Sequence, residues 1–266
     1  MKRNLIALGL CLTLLGGGRA AAQQLPKLQI NGAPSHGVAA VEQGVTYVSL
    51  RTVAEQLDAD AQVSWENGRA VVRSDGLELT AVPGERWIIS NGKYLYIPGG
   101  VKVESGRTLV PIRALAEAFG THVRWDGEHQ TIFVEGAVAP PQGQYDEDAL
   151  YWLSRIISAE SRGESLEGQI AVGNVVLNRV EDVDFPNTIY GVIFDDRWGG
   201  QFEPVRNGTV YQDPTDLSVI AAKLCLGGAS IVGESLYFLD PDKAGNLWTV
   251  YNRPYLMTIG VHDFYL

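Results

Sequence analysis

Cysteine is almost missing from this chain, which has only Cys11 and Cys225. Cys11 falls in an N-terminal stretch with the marks of an export leader: Lys2 and Arg3, the largely apolar run Leu5 to Leu15, then glycines and Ala20-Ala21-Ala22. Cleavage after Ala22 is expected, so residues 1–22 read as a signal peptide and the protein as secreted. No lipobox-like sequence surrounds Cys11, which argues against a lipid anchor. Cys225 is then the one cysteine left, an internal disulfide is excluded, and stability must come from buried apolar surface. About 244 residues remain, enough for two domains with cores of their own.

Long apolar runs are lacking too. The leader is too short to cross a bilayer, which takes about 20 apolar residues, so no membrane span is expected. Basic residues are scarce, with 21 Lys+Arg against 31 Asp+Glu. Loss of Lys2, Arg3 and Arg19 with the leader deepens the formal charge to −13. Nucleic acid is therefore not an expected partner, because phosphate binding needs a basic footprint. Adsorption to an anionic wall by charge alone is disfavoured as well. Histidines number four, and His36, His122, His129 and His262 form no closely spaced ligand pair. No metal site and no cofactor are expected.

What is present begins with a repeat. Thr46-Tyr47-Val48-Ser49-Leu50-Arg51-Thr52-Val53-Ala54-Glu55 matches Thr108-Leu109-Val110-Pro111-Ile112-Arg113-Ala114-Leu115-Ala116-Glu117. Each copy runs on into a tryptophan and a turn, at Trp65-Glu66-Asn67-Gly68 and at Trp125-Asp126-Gly127, followed by Ala70-Val71-Val72 or Thr131-Ile132-Phe133-Val134. Strand, short helix, strand, hairpin turn and strand are expected in each. This region, 25–136, resembles the copper amine oxidase-like N-terminal module. It holds no copper ligand set, and the resemblance implies a wall-facing spacer or binding unit.

The segment 137–144, AVAPPQGQ, favours an extended, unpacked linker. Beyond it, 145–266 carries 16 of the 24 aromatic residues, so a different kind of domain begins there. Asp146 can cap a helix in which Ala149, Leu153, Ile156 and Ile157 share a face. At 100° per residue Glu160 points into the middle of that stripe. Burial, together with the helix C-terminus near Gly163, should raise its pKa toward about 6, the value of a glycosidase acid. Arg162 would oppose this if it paired with Glu160. Periodicity alone leaves two readings of Glu160 open, a general acid and a buried glutamate capping a neighbouring helix.

The blocks Glu160-Ser161-Arg162-Gly163-Glu164, Glu167-Gly168-Gln169-Ile170-Ala171-Val172, Val175-Val176-Leu177-Asn178-Arg179-Val180, Phe185-Pro186-Asn187-Thr188, Gln201-Phe202, Leu236-Tyr237-Phe238 and Arg253-Pro254 stand in an order that resembles the SleB-type cell wall hydrolases. The resemblance implies Glu160 as catalytic acid and a mainly helical, lysozyme-like fold with a small β-hairpin lobe. The whole chain then reads as α+β, a two-repeat α+β module followed by that helical domain. It also implies cleavage of peptidoglycan glycan strands at N-acetylmuramic acid, as lytic transglycosylase or muramidase, in spore cortex lysis or wall remodelling. Ser161, Glu203 and Asp240 depart from the family pattern.

Asp195, Asp196, Glu203 and Asp240 are candidates for a second carboxylate. Gln201 and Phe202, in a stretch from Trp198 to Tyr211 read as the hairpin lobe, could bind N-acetyl groups and stack on sugar, although a core role for Phe202 fits equally. Tyr237 and Phe238 alternate on an expected strand, one toward the core and one toward the cleft, and Tyr237 is the substrate-binding candidate. Glu164 reads as a helix-start carboxylate, His262 as a core residue, and Cys225 as a buried thiol near the end of a helix running from Asp213-Pro214 to Leu226. A monomer is expected. The alternative function is a non-catalytic peptidoglycan-binding or spore-coat interaction protein, with Glu160 structural.

Overall fold

The structure is a computed structural model that describes residues 25–136, 139–197, 200–245 and 248–266. The expected leader, part of the linker and Trp198 lie outside the described residues.

The first region comprises β1 (Lys27–Ile30), β2 (Ala33–Ser35), β3 (Val38–Glu42), β4 (Val45–Ser49), α1 (Leu50–Leu57), β5 (Gln62–Glu66), β6 (Arg69–Ser74), β7 (Leu77–Ala81), β8 (Trp87–Ser90), β9 (Lys93–Tyr96), β10 (Lys102–Glu104), β11 (Arg107–Pro111), α2 (Ile112–Ala118), β12 (His122–Asp126) and β13 (Thr131–Glu135). Both copies of the repeat have the expected course, β4-α1-β5-β6 and β11-α2-β12-β13. They meet where β4 pairs antiparallel with β11, and the central pair, Val48 opposite Val110, joins equivalent positions of the two copies. A local twofold axis therefore passes through that pair.

The helices start by different means. Ser49 caps α1 by accepting from Thr52 N, whereas Pro111 at the matching position makes no side-chain cap and presets an extended approach to α2. Asn67-Gly68 and Asn91-Gly92 both place two successive residues at positive φ, the turn that matches the strand twist of a hairpin. Three sheets, β12-β13-β1-β2, β10-β11-β4-β3 and β5-β6-β7-β8-β9, close around one core that includes Leu50, Val53, Leu79, Ile88, Val110 and Leu115.

The second region comprises α3 (Glu147–Ser161), α4 (Leu166–Glu181), α5 (Ile189–Ile193), α6 (Glu203–Asn207), a 3-10 turn (Thr209–Tyr211), α7 (Asp216–Leu226), β14 (Tyr237–Leu239), α8 (Trp248–Asn252), β15 (Tyr255–Ile259) and β16 (His262–Tyr265). Asp146 caps α3 as its sequence suggests, accepting from Ala149 N at 2.7 Å. Leu153, Ile156 and Ile157 are fully buried. Helices α3, α4 and α7 pack closely at Gly173, where a Cβ would lie 2.7 Å from Cys225 Sγ and 2.8 Å from Ile157 Cδ1. Cys225 is buried there, and burial pushes its thiol pKa up, so it is an inert core residue.

Three expectations are corrected. Helix α7 begins two residues late, because the side chain of Thr215 rather than Asp213 accepts from the first turn, at Ser218 N. The described part of 198–211 is helical rather than a hairpin: Pro204 sits at the start of α6 and Gly208, at φ 80°, ends it. The small β lobe is formed later in the chain as the sheet β14-β16-β15. The linker, finally, is not unpacked. Gly143 N donates to Asn91 O at 2.9 Å, Gly143 lies flat against Gly92, and Tyr145 Oη accepts from Tyr94 N at 2.9 Å.

The two regions touch along β8 and β9, where Trp87, Tyr94 and Tyr96 pack against the core of the second region. Glu167 anchors the contact, accepting from Tyr96 Oη at 3.0 Å and pairing with Arg86 Nε at 2.8 Å. Burial and the adjacent Glu167 carboxylate push the Tyr96 hydroxyl up to about 12, so it stays a donor. Among the described residues no helix is long and apolar enough to cross a membrane.

Candidate active site

Glu160 occupies the last turn of α3 and is half-buried. Burial raises its pKa, the negative charge of Glu203 raises it further, and Arg179 partly opposes both, leaving it at about 7. Arg162 does not contribute: it turns back along its own helix, with Nη2 donating to Ser158 Oγ and Nε to Ser158 O, each at 3.3 Å.

Arg179 is the group that the sequence reading missed. It stands on α4 three and four residues after Val176 and Val175, so the argument that placed Glu160 in an apolar stripe applies to it equally. It is 5% exposed. Nε donates to Leu236 O at 2.7 Å, fastening the approach to β14, and the guanidinium lies 5.0 Å from the Phe185 ring centre, 5.3 Å from Phe202 and 5.5 Å from Tyr237. Its Nη1 is buried without a hydrogen-bond partner among the described residues. Burial lowers its pKa to about 10, against the pull of Tyr237, Asp195 and Glu160. It remains a cation, with the Glu160 carboxyl in its field.

The four candidate carboxylates separate clearly. Asp195 is buried in a two-point pair with Arg197, at 2.9 and 2.8 Å, and those hydrogen bonds hold it below the usual carboxylate range. Asp240 pairs with Lys243 at 2.8 Å and is likewise lowered. Asp196 is exposed. Glu203, exposed at the start of α6 where that helix packs on α3, is the one whose charge reaches Glu160.

Of the substrate-binding candidates, Phe202 is corrected. It is 2% exposed and part of the core, with Arg179 over its ring, so it offers no face to a sugar. It does bring the preceding residue, half-buried Gln201, to the edge of α6. Tyr237 is half-buried between two guanidiniums: its Oη accepts from Arg253 Nη2 at 2.7 Å, and Arg179 lies on its ring. Phe238 is the core-facing partner, against Phe264 and edge-on to His262. His262 is 6% exposed, and burial lowers its pKa, so it is a neutral core residue. Glu164 does not cap α4, a role taken by Ser165. It reaches across to Val261 N at 3.2 Å, over Gly260, where any Cβ would collide with its carboxylate.

Comparison with known proteins fits these observations. Residues 163–265 match the Cell Wall Hydrolase family model, with Glu160 just upstream, and residues 29–134 match the Copper amine oxidase N-terminal domain. The cell wall hydrolase CwlJ of Bacillus subtilis is 30% identical over 125 residues, which cover 42% of this chain and 81% of that protein. The chain belongs to the cell wall hydrolase family. A spore cortex-lytic enzyme of Bacillus cereus is 36% identical over 132 residues, 47% of this chain and 49% of the relative. The chain thus spans about half the length of the spore cortex-lytic relatives it matches. Among solved structures, the catalytic domain of the germination-specific lytic transglycosylase SleB from Bacillus anthracis is 35% identical, covering 46% of this chain and 97% of that one, with a TM-score of 0.42.

Proposed function

We propose that this protein is an exported enzyme that cleaves the glycan strands of peptidoglycan at N-acetylmuramic acid, with Glu160 as its acid catalyst and spore cortex as its substrate. The observation that carries the reading is the carboxyl of Glu160, pushed by burial and by Glu203 to about 7. The oxygen leaving a glycosidic bond is a poor leaving group and needs a proton as the bond breaks. A carboxylic acid that is half protonated near neutrality can give that proton and then take one back. In a lytic transglycosylase the returning proton comes from the muramic acid 6-hydroxyl as it attacks its own anomeric carbon, and the product is a 1,6-anhydro sugar. Arg179 favours the carboxylate that exists between the two transfers.

Exposed Tyr190 and Tyr211 surround Trp152, two turns before Glu160 on the same helix, and offer ring surface to a sugar chain. Gln201 and Tyr237 are the polar groups proposed to orient it. Glu203 supports a second reading, hydrolysis by a water that this carboxylate activates.

Purified protein incubated with cortex and with vegetative sacculi tests both readings. Soluble muropeptides should appear from cortex, and anhydro ends and reducing ends differ in mass by one water. Glu160→Gln should lower the rate at least about 100-fold, the scale of a general acid's contribution. Equal release by that variant would remove Glu160 from the mechanism, and no release by the parent would leave a glycan-binding role.

A further inference from the structure

A cavity of about 620 Å³ lies away from Glu160, which is not among its lining residues. It lies between the two regions. One wall is α2 and the β12–β13 hairpin, another is the β3–β4 hairpin at Val41 and Gly44–Thr46, a third is β9 at Tyr96, and the last is the segment after α7, from Gly227 to Ser230. Helix α7 runs away from Glu160: its first turn touches α3 where Thr215 N meets Ser158 Oγ at 3.3 Å. Its eleven residues put the cavity wall about 16 Å beyond that contact.

We propose that this cavity binds β-1,4-linked N-acetylhexosamine glycan, as a second hold on the strand that the first region supplies. The inference rests on the glycan-cleaving reading above for the identity of the polymer.

Three features carry it. Trp125 lines the cavity and is 46% exposed, so indole surface is open to solvent at a concave site of ligand size. Around it stand groups that recognise hydroxyl and acetamido functions: the Gln130 amide, whose Nε2 is held by Gly127 O at 2.7 Å, exposed Arg113, and Glu117, which pairs with Lys93 at 3.0 Å. The positive and negative groups nearly balance, as suits a neutral ligand. The walls, moreover, are fixed before anything binds. Gly227 abuts Tyr94 O so closely that a Cβ there would lie 2.6 Å from it, and Glu167 locks the same seam to Arg86 and Tyr96. A protein with a formal charge of −10 is disfavoured from holding an acidic wall by charge. Stacking and neutral hydrogen bonds avoid that repulsion, and a second contact on the same polymer multiplies retention.

The molecule supplies its own control. Trp65 occupies the equivalent hairpin of the first repeat and is 56% exposed, but it does not line the cavity. Binding is read in full-length Glu160→Gln protein, where no cleavage is needed, so the result is independent of whether Glu160 is the acid. The probes are insoluble sacculi, by sedimentation, and chitohexaose, by tryptophan fluorescence. Adding Trp125→Ala should weaken binding to sacculi about tenfold, the scale of one aromatic anchor, and abolish the chitohexaose-induced fluorescence change. Adding Trp65→Ala should alter neither. Both tryptophans are exposed, and unchanged melting temperatures show that the variants fold. Undiminished binding by Trp125→Ala, equal losses in the two variants, or no binding by the parent would each overturn the proposal.

Discussion

The two regions treat charge in opposite ways. In the first, the buried polar residues among those described are hydroxyls, Ser35, Ser49, Ser90 and Thr131, while charged side chains pair at the surface, as in Arg51–Glu55 and Arg73–Glu66. The second buries Arg179, Asp195 and His262, and half-buries Glu160 with its carboxyl in the field of Arg179. Buried ionisable groups cost stability unless they are paired, so a fold does not accumulate them for support. Arg179 lies in the fields of both Asp195 and Glu160, a mark of chemistry, and the described buried residues of the first region hold no such group.

The largest expected effect tests whether the Glu160 carboxyl is held against its own stability. Its pKa is raised from the ordinary 4.5 to about 7, so between those values the folded protein binds more protons than the unfolded chain, and stability falls as pH rises. Above pH 7 the whole penalty is present, up to about 3 kcal/mol for a shift of this size. Glu160→Gln should therefore melt at a higher temperature than the parent at pH 8 and at nearly the same temperature at pH 4. A variant less stable than the parent at pH 8 would mean that the carboxylate is structural.

A smaller effect separates the two groups that act on Glu160. Removing the Glu203 charge as Glu203→Gln should lower the Glu160 pKa and move the alkaline limb of the pH–rate profile down. Arg179→Met should move that limb up, while Arg179→Lys, which keeps the charge, should leave it closer to the parent. Arg179→Met also leaves Leu236 O without its donor, at a cost of about 1–3 kcal/mol, so melting curves must accompany the rates. Shifts of the same sign in Glu203→Gln and Arg179→Met would contradict the arrangement.

These groups were unequally legible in the sequence. Glu160 was readable because a charged residue interrupts an apolar stripe of helical period. Arg179 interrupts another by the same rule, but the run of valines around it drew attention to packing. The two-copy course of the first region followed from its repeat, and the cap at Asp146 from residue type. Phe202 was undecidable in advance, because a ring beside a glutamine suits a sugar cleft and a core alike, and only its docking under Arg179 of α4 decides it. The seam between the regions was hidden for the same reason. Tyr94, Tyr96 and Glu167 are ordinary in their own segments, and their meeting depends on how two domains dock.

The smallest expected effect is a null in the first region. Glu66 accepts from Arg73 at 2.5 and 3.0 Å and from Ser64 at 2.6 Å, and these hydrogen bonds, Arg73's first, hold its pKa down at about 2. A lowered carboxylate stabilises the fold above its unfolded pKa and loses that contribution only as pH falls toward 2. At neutral pH the pair is therefore intact, yet both partners face solvent, where water and salt screen the attraction and two long side chains lose freedom in forming it. Glu66→Gln should leave the melting temperature at pH 7 unchanged within error, although the pKa shift is as large as that of Glu160 and opposite in sign. A displacement comparable to that of Glu160→Gln would show that exposed pairs hold this region together, and the contrast between a region that keeps its charges outside and one that uses them inside would no longer stand.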